Sequence, residues 1–79
     1  MIVITRHARN RMRRDKVDLA DVEDCIDTPD FKRQQSEDKM EVWRSYLSGF
    51  LKVVYRVEEE ETMVITVVVK KKRPVWATS

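Results

Sequence analysis

The sequence predicts a small α+β domain in which two N-terminal helices pack on one face of an antiparallel four-stranded meander. Apolar residues repeat at helical spacing up to residue 27, and from residue 31 onward apolar and polar residues alternate as they do in strands. Strands joined by short turns usually pair with their neighbours, and the helices must bury their apolar stripes on the resulting sheet. We expect one domain over residues 1–74 and a C-terminal tail over residues 75–79 that is loose, with docking of Val75 and Trp76 as the alternative.

Two helix signals lie in the first third of the chain. Thr5 is a suitable N-cap for a first helix over residues 6–14, and Asp18 is a suitable N-cap for a second helix over residues 19–27. The second helix ends before Pro29, because a proline disfavours helical backbone in the residue that precedes it. Its apolar stripe, which should face the sheet, consists of Leu19, Val22, Cys25 and Ile26.

Strand patterns fill the second half of the chain. The four segments with strand character are residues 31–35, 40–47, 50–57 and 62–70. Ser48-Gly49 contains the only glycine and predicts a tight hairpin turn. The β-branched Ile2-Val3-Ile4 segment fits either a short extra strand at the N-terminus or an extended lead-in to the first helix. Because the helices cover one face of the meander, its second face should be exposed.

Charge is separated along the chain, although the net charge of +2 is too small to indicate a nucleic-acid-binding protein by itself. Residues 6–16 carry six basic residues and one acid, whereas residues 18–30 carry six acids and no base. Residues 58–61 form an acidic run, and residues 70–73 form a basic run to which the sequence assigns no role. A small protein with this pattern has two different surfaces to offer to partners.

The other compositional signals concern the compartment and the cofactors. A single cysteine, Cys25, excludes an internal disulfide and favours a reducing compartment. No signal peptide or membrane-spanning stretch is recognisable, so we expect a cytoplasmic protein without membrane contact. One histidine and one cysteine do not make a metal-ligand set, and no glycine-rich phosphate loop is present, so no metal and no cofactor are expected.

The segment Arg6–Arg14 combines the only histidine with five arginines. Residues three, four and seven positions apart share a helix face, so His7, Arg11 and Arg14 should line one edge of the first helix. An imidazole can act as general acid or base, and arginines can bind a phosphate and stabilise its charge in a transition state. The structural alternative is that His7 satisfies backbone groups while the arginines pair with the acidic second helix.

Further candidates come from the strands. Lys52 and Arg56 alternate with core-like residues and should lie on the exposed sheet face as phosphate ligands, together with Arg44 or Tyr46 from the preceding strand. Tyr55 is a further candidate if its hydroxyl reaches the edge of the site. For each basic strand residue the alternative is simple solvent exposure. Two tryptophans fit either stacking on nucleic-acid bases or filling of a core or interface, namely Trp43 and Trp76.

The pattern His7-Ala8-x-x-Arg11-Met12 resembles the DUF4258 family. The acidic second helix that closes at Asp27-Thr28-Pro29 and the late strand Val64-Ile65-Thr66-Val67 are similar to that family too. DUF4258 is grouped with toxin ribonucleases of the barnase–colicin–RelE-like fold. The resemblance therefore implies a RelE-like arrangement of the meander and a metal-independent ribonuclease, often with an antitoxin partner. The acidic turn at residues 58–61 and the basic residues 70–73 depart from the family pattern.

The combined expectation is a metal-independent RNA endonuclease that is the toxin of a toxin–antitoxin pair. In this interpretation His7 and Arg11 are catalytic, and Arg14, Lys52 and Arg56 bind phosphate. Two alternatives stay open: a non-catalytic RNA- or DNA-binding protein that uses the basic first helix, and a protein-binding module. RNA is the expected partner, an acidic antitoxin segment would cover the same basic helix, and a thin core favours a homodimer.

Overall fold

The computed structural model describes residues 1–77 and contains two helices and five strands. Their order is β1 (Ile2–Ile4), α1 (Arg6–Asp15), α2 (Leu19–Asp27), β2 (Phe31–Ser36), β3 (Lys39–Tyr46), β4 (Gly49–Glu58) and β5 (Glu61–Lys70). Both predicted helices and all four predicted strands are confirmed, with ends that differ by at most one residue. Thr78 and Ser79, the end of the predicted tail, lie outside the described residues.

The five strands form one mixed sheet in the order β1-β5-β4-β3-β2. The prediction of a four-stranded, purely antiparallel sheet is wrong, because β1 joins the sheet parallel to β5. The amide of Thr62 donates to the carbonyl of Met1 (3.0 Å), and the amide of Thr5 donates to the carbonyl of Val64 (3.1 Å). Without β1, these backbone groups at the outer edge of β5 would have no strand partner. Ile2 and Ile4 also pack against the core, which adds apolar burial to the pairing.

Thr5 joins β1, α1 and β5 at one point. It is the N-cap of α1, as predicted, and its hydroxyl accepts a hydrogen bond from the amide of Ala8 (3.3 Å). The same hydroxyl donates to the carbonyl of Ile65 (3.3 Å). Ile65 is the extra residue of a β-bulge, since Val54 pairs with Thr66 whereas Tyr55 pairs with Val64. The irregularity in β5 is therefore used to fix the start of α1.

The helices cover one face of the sheet and bury a small core there. The apolar faces of the helices contribute Ala8 and Met12 from α1, and Val22 and Cys25 from α2. The sheet residues in the same core are Val42, Leu51, Val53, Tyr55, Val64 and Val67. Side chains alternate between the two faces of a strand, so the residues between these core positions point away from the helices. We call this second side of the sheet the open face; it carries the site described below.

The hairpin predicted at Ser48-Gly49 is present, but the glycine has a different role from the predicted one. The left-handed backbone position of the turn is Leu47, with φ 54°, and no glycine has a positive φ. Gly49 is needed because a Cβ atom there would lie 2.2 Å from the carbonyl oxygen of Lys70. In the β4–β5 turn, Glu59 and Glu60 both have positive φ, 46° and 69°. Non-glycine residues adopt this region only with strain.

Candidate functional site

The basic edge predicted on α1 is present as a helix surface. His7 and Arg14 are exposed, and Arg14 Nε lies 3.4 Å from Asp15 Oδ1. Arg11 is half-buried, and its Nε finds no hydrogen-bond partner within residues 1–77. None of the three arginine-to-acid contacts described for the chain joins α1 to the acidic helix α2. The arginine face of α1 is therefore not neutralised by α2 among the described residues.

The structure does not bring the predicted strand residues to this helix surface. Lys52 lies on the open face, so the thickness of the sheet separates it from α1. Arg56 is paired with Glu58 on the same strand. The single site that was predicted from helix and strand residues together is therefore not assembled in one place.

The two tyrosine candidates and Arg44 lie on the helix side of the sheet. Tyr55 is part of the buried core. The hydroxyl of Tyr46 donates to Asp21 Oδ2 (3.3 Å), and burial together with the charge of Asp21 raises the pKa of this tyrosine. Arg44 donates to the carbonyl and hydroxyl of Thr28, at 2.6 and 2.8 Å. The prediction that Tyr46 or Arg44 joins Lys52 on the open face is wrong, because both alternate with Glu41 and Trp43.

Sequence reasoning missed Glu41, the only charged residue in the buried set of the described chain. It lies on β3 and is 1% exposed. Oε2 accepts hydrogen bonds from the indole N–H groups of Trp43 (2.6 Å) and Trp76 (3.1 Å). Oε1 accepts from Gln35 Nε2 (3.1 Å) and from Arg33, whose nearest nitrogen is 3.3 Å away. Both carboxylate oxygens are thus fully engaged, as a buried anion requires.

These contacts keep Glu41 ionised. Burial raises the pKa of a carboxyl group, but here the hydrogen bonds from Trp43, Trp76 and Gln35 and the positive charge of Lys52 outweigh burial and lower the pKa below 4.5. Because its pKa is low and its lone pairs are taken, Glu41 is not suited to accept a proton from a substrate. Its role is to hold the two indole groups in fixed positions.

The C-terminal segment after β5 returns to the open face through Trp76. In addition to its bond to Glu41, the Trp76 ring stacks under the guanidinium of Arg33, with 4.7 Å between Cζ and the ring centroid. Phe31 meets the same ring edge-on, with centroids 6.5 Å apart. Trp76, which the sequence assigned to the tail, is therefore docked on the sheet by three different contacts.

Between this segment and the sheet lies a pocket of about 350 Å³. Trp43, 6% exposed, forms its floor above Glu41, and the half-buried Trp76 forms one wall. Lys52 Nζ lies 5.7 Å from the Trp43 ring centroid. Five basic side chains line the pocket, namely Arg33, Lys52, Lys70, Lys72 and Arg73. We call this site the open-face pocket.

Part of this pocket could have been found in the sequence. Glu41 and Trp43 are two residues apart in a strand, so they share a face, and a single acid between apolar residues in a strand is unusual. The basic run at residues 70–73 is visible, but its position over the sheet depends on Trp76. Docking of Trp76 on Glu41 joins residues 35 positions apart, and no local pattern indicates it.

The described part of the chain contains neither a metal-ligand cluster nor a membrane-spanning helix. Within residues 1–77, no group of three or more His, Cys, Asp or Glu side chains is arranged to hold a metal ion. None of the helices in this part of the chain is both long and apolar enough to cross a membrane.

Comparison with known proteins identifies a family for this chain. No curated protein and no solved structure gives a significant match to the chain. Residues 4–69 match the family described as Domain of unknown function (DUF4258). The match includes α1, α2 and nearly all of the sheet, and it ends before the basic residues and Trp76 that complete the open-face pocket. Since it covers well over half of the sequence, the chain belongs to the DUF4258 family.

Proposed function

We propose that this protein binds single-stranded RNA through the open-face pocket. The observation that carries the proposal is the composition of the pocket, in which an indole wall held by a buried carboxylate is surrounded by five basic side chains. Aromatic rings stack on nucleic-acid bases, a contact worth about 1–3 kcal/mol per base, and basic side chains neutralise the phosphates. A surface with both features suits a polymer that carries both groups.

The shape of the site favours single strands over a duplex. The half-buried ring of Trp76 lies inside a pocket, so a base can reach it only after leaving its stack. Single-stranded RNA offers unstacked bases at little cost, whereas a duplex hides its bases inside the helix. The choice of RNA over DNA rests on the resemblance of the α1 pattern to DUF4258, a family grouped with RNA-cleaving toxins.

Three basic side chains of the pocket make no described contact, and this supports the same interpretation. Within residues 1–77, no hydrogen bond or ion pair engages the side chains of Lys70, Lys72 and Arg73, whereas Arg33 is engaged by Glu41. Three unpaired cations at the mouth of an aromatic pocket attract an anion at long range and are available to bind it. The arginine surface of α1 lies on the other side of the sheet and provides a separate electrostatic surface.

The experiment compares two double variants that remove the same charge. Lys72→Ala/Arg73→Ala alters the pocket, and Arg9→Ala/Arg13→Ala removes two exposed cations from α1. Binding of a fluorescently labelled single-stranded RNA is followed by anisotropy at several salt concentrations. Each lost phosphate contact should lower the slope of log K against log salt by about 0.7.

We expect weaker binding and a lower salt slope in the pocket variant, with a smaller effect in the α1 variant. Equal loss of affinity in the two variants would mean that the RNA is attracted to any cationic surface of the protein. A larger loss in the α1 variant would place the binding surface on that helix. Absence of binding by the unmodified protein would refute the proposal. A single-stranded DNA and a duplex RNA of the same length test the choice of polymer.

Metal-independent RNA cleavage at α1 is a second candidate function. It is favoured by exposed His7 one helical turn before Arg11, whose Nε has no partner in residues 1–77. In this mechanism the 2′-oxygen attacks the phosphorus and the bond to the leaving oxygen breaks; the imidazole either accepts the proton of the 2′-hydroxyl or donates a proton to the leaving oxygen, and the arginine stabilises the phosphate charge. His7→Ala should abolish cleavage in the presence of EDTA, whereas exposed Asn10→Ala on the same helix should not. Arg11→Ala should weaken RNA binding and lower its salt slope.

The toxin interpretation adds a partner for the α1 surface. An acidic antitoxin segment would neutralise the exposed arginines and block RNA from them, and a homodimer is the other expected assembly. Sedimentation at micromolar concentration tests the homodimer, and co-purification with the product of an adjacent gene tests the antitoxin. A strict monomer without a co-purifying protein would contradict both and would leave a stand-alone RNA-binding domain.

A further inference from the structure

We infer that the unit recognised by the open-face pocket is one nucleoside monophosphate, whether free or as part of RNA. The inference rests on the proposed function in that it assigns the RNA contact to the same pocket. In this arrangement the base lies against Trp76, and the phosphate lies among Lys70, Lys72 and Arg73. Three features of the pocket support this assignment: its size, the fixed position of its aromatic wall and the distribution of its free charges.

The size of the pocket limits the ligand. A volume of about 350 Å³ is at the lower end of the range for small-molecule sites, roughly 300–1,000 Å³. It has room for one base with its sugar and phosphate. Trp43 also lines the pocket but is 6% exposed, so its ring offers little further surface on which a second base could stack.

The aromatic wall is already fixed before a ligand arrives. Glu41 orients the Trp76 indole through its N–H, and Arg33 and Phe31 each contact the same ring. A ring held in this way loses little conformational freedom when a base stacks on it. The wall is therefore preorganised for one planar group.

The free charges define where an anion binds. Glu41 neutralises part of the positive charge at the floor through Arg33, and Lys52 is drawn toward Trp43 and Glu41. The basic side chains without a described partner, Lys70, Lys72 and Arg73, lie at the mouth instead. A ligand with a planar apolar group inside and an anion outside fits this distribution, and a nucleoside monophosphate has this structure.

The test uses isothermal titration calorimetry with AMP, UMP, adenosine and inorganic phosphate as the probes. If base and phosphate both bind, AMP should bind about tenfold tighter than either adenosine or inorganic phosphate. Lys72→Ala/Arg73→Ala should weaken AMP binding about fivefold or more and leave adenosine unchanged, whereas Arg9→Ala/Arg13→Ala should change neither.

Trp76 is tested by two variants, because its loss also removes a contact of Glu41. Trp76→Phe keeps an aromatic ring and should retain part of the AMP affinity, whereas Trp76→Leu should lose most of it. Thermal unfolding of both variants shows whether the fold is intact. Equal losses in two folded variants would mean that the ring is not a stacking surface, and this would overturn the inference.

The remaining outcomes separate the inference from the proposed function. Inorganic phosphate as tight as AMP would identify a simple anion site and would overturn the inference. Binding of RNA without saturable binding of AMP or UMP would overturn it too, while the RNA proposal stands. Saturable binding of AMP without binding of RNA would support the inference and refute the RNA proposal.

Discussion

Replacement of Glu41 by glutamine should destabilise the protein strongly although it keeps the size and shape of the side chain. The carboxylate accepts hydrogen bonds at both oxygens and is 1% exposed. A carboxamide has only one acceptor oxygen. Its NH2 group takes the place of the other carboxylate oxygen and must face hydrogen-bond donors there. If the oxygen faces the two indoles, the amide group lies against Arg33 and Gln35, and both lose their acceptor.

The size of the effect follows from the bonds that are changed. A hydrogen bond to a charged group contributes about 1.5–3 kcal/mol, and removal of one partner of a buried charged pair costs about 3–5 kcal/mol. Arg33 and Gln35 are partly exposed and can turn to water, which reduces the penalty. We expect Glu41→Gln to lower the free energy of unfolding by about 2–4 kcal/mol, which for a chain of this size means a Tm lower by at least roughly 10 °C.

The assay is thermal and urea unfolding followed by tryptophan fluorescence, with Glu37→Gln as the control. Glu37 is exposed, and its side chain makes no described hydrogen bond, so the same chemical change should alter stability by less than about 0.5 kcal/mol. A Glu41→Gln protein as stable as the control at pH 7 would refute the view that the ionised carboxylate organises the open face.

The pH dependence gives a second check on the same residue. The pKa of Glu41 is lower in the folded chain than its ordinary value of 4.5, so the unfolded chain binds more protons in this range. The stabilisation is therefore complete well above pH 4.5 and is lost as the pH falls through the folded-state pKa. The difference in stability between the unmodified protein and Glu41→Gln should be largest near pH 7 and should shrink below about pH 4. A constant difference down to pH 3 would contradict this account.

Three further predictions concern other parts of the chain. Replacing Glu59-Glu60 by Asn-Gly should stabilise the protein by about 1 kcal/mol in urea unfolding, because both positions have positive φ; a loss of stability would contradict the strain argument. Gly49→Ala should lower stability by about 2 kcal/mol or more, because its Cβ would lie 2.2 Å from the Lys70 carbonyl oxygen. Unchanged thermal unfolding would contradict this prediction, since it would mean that β4 and β5 can move apart at this point without cost. Burial raises the pKa of Cys25 to about 12, so a thiol reagent at pH 8 should react with it only after unfolding, and rapid reaction of the native protein would refute its burial.

The elements of this fold could be predicted because their signals are local. Thr5 and Asp18 mark the helix starts, and alternation marks the four long strands. The pairing of β1 with β5 could not be predicted, because a three-residue apolar segment is compatible with several partners and its partner is 60 residues away. The same limit applies to the site, because alternation placed Lys52 on the open face correctly but did not indicate which other residues meet it there.

The sequence interpretation had a place for Trp43, Trp76 and Lys52 as nucleic-acid contacts, but none for Glu41. Catalysis and phosphate binding commonly use histidine and arginine, so the sequence pattern indicated His7 and the arginines of α1. Glu41 was overlooked since an acid in a strand is usually exposed, and its burial becomes favourable only when Trp43 and Trp76 both donate to it. Long-range hydrogen bonding, and not composition, therefore determines this site.

The parallel pairing of β1 with β5 has a consequence for the order of folding. Ile2–Ile4 leave the ribosome about 60 residues before their partners Thr62–Val64. The N-terminal strand must remain without its partner while the β2–β5 antiparallel strands are synthesised, and Thr5 cannot make its bond to Ile65 until then. Contacts between distant residues slow folding, so the closure of this sheet edge should be a late step. In a nascent chain, the meander would form first and the N-terminal strand would complete the domain.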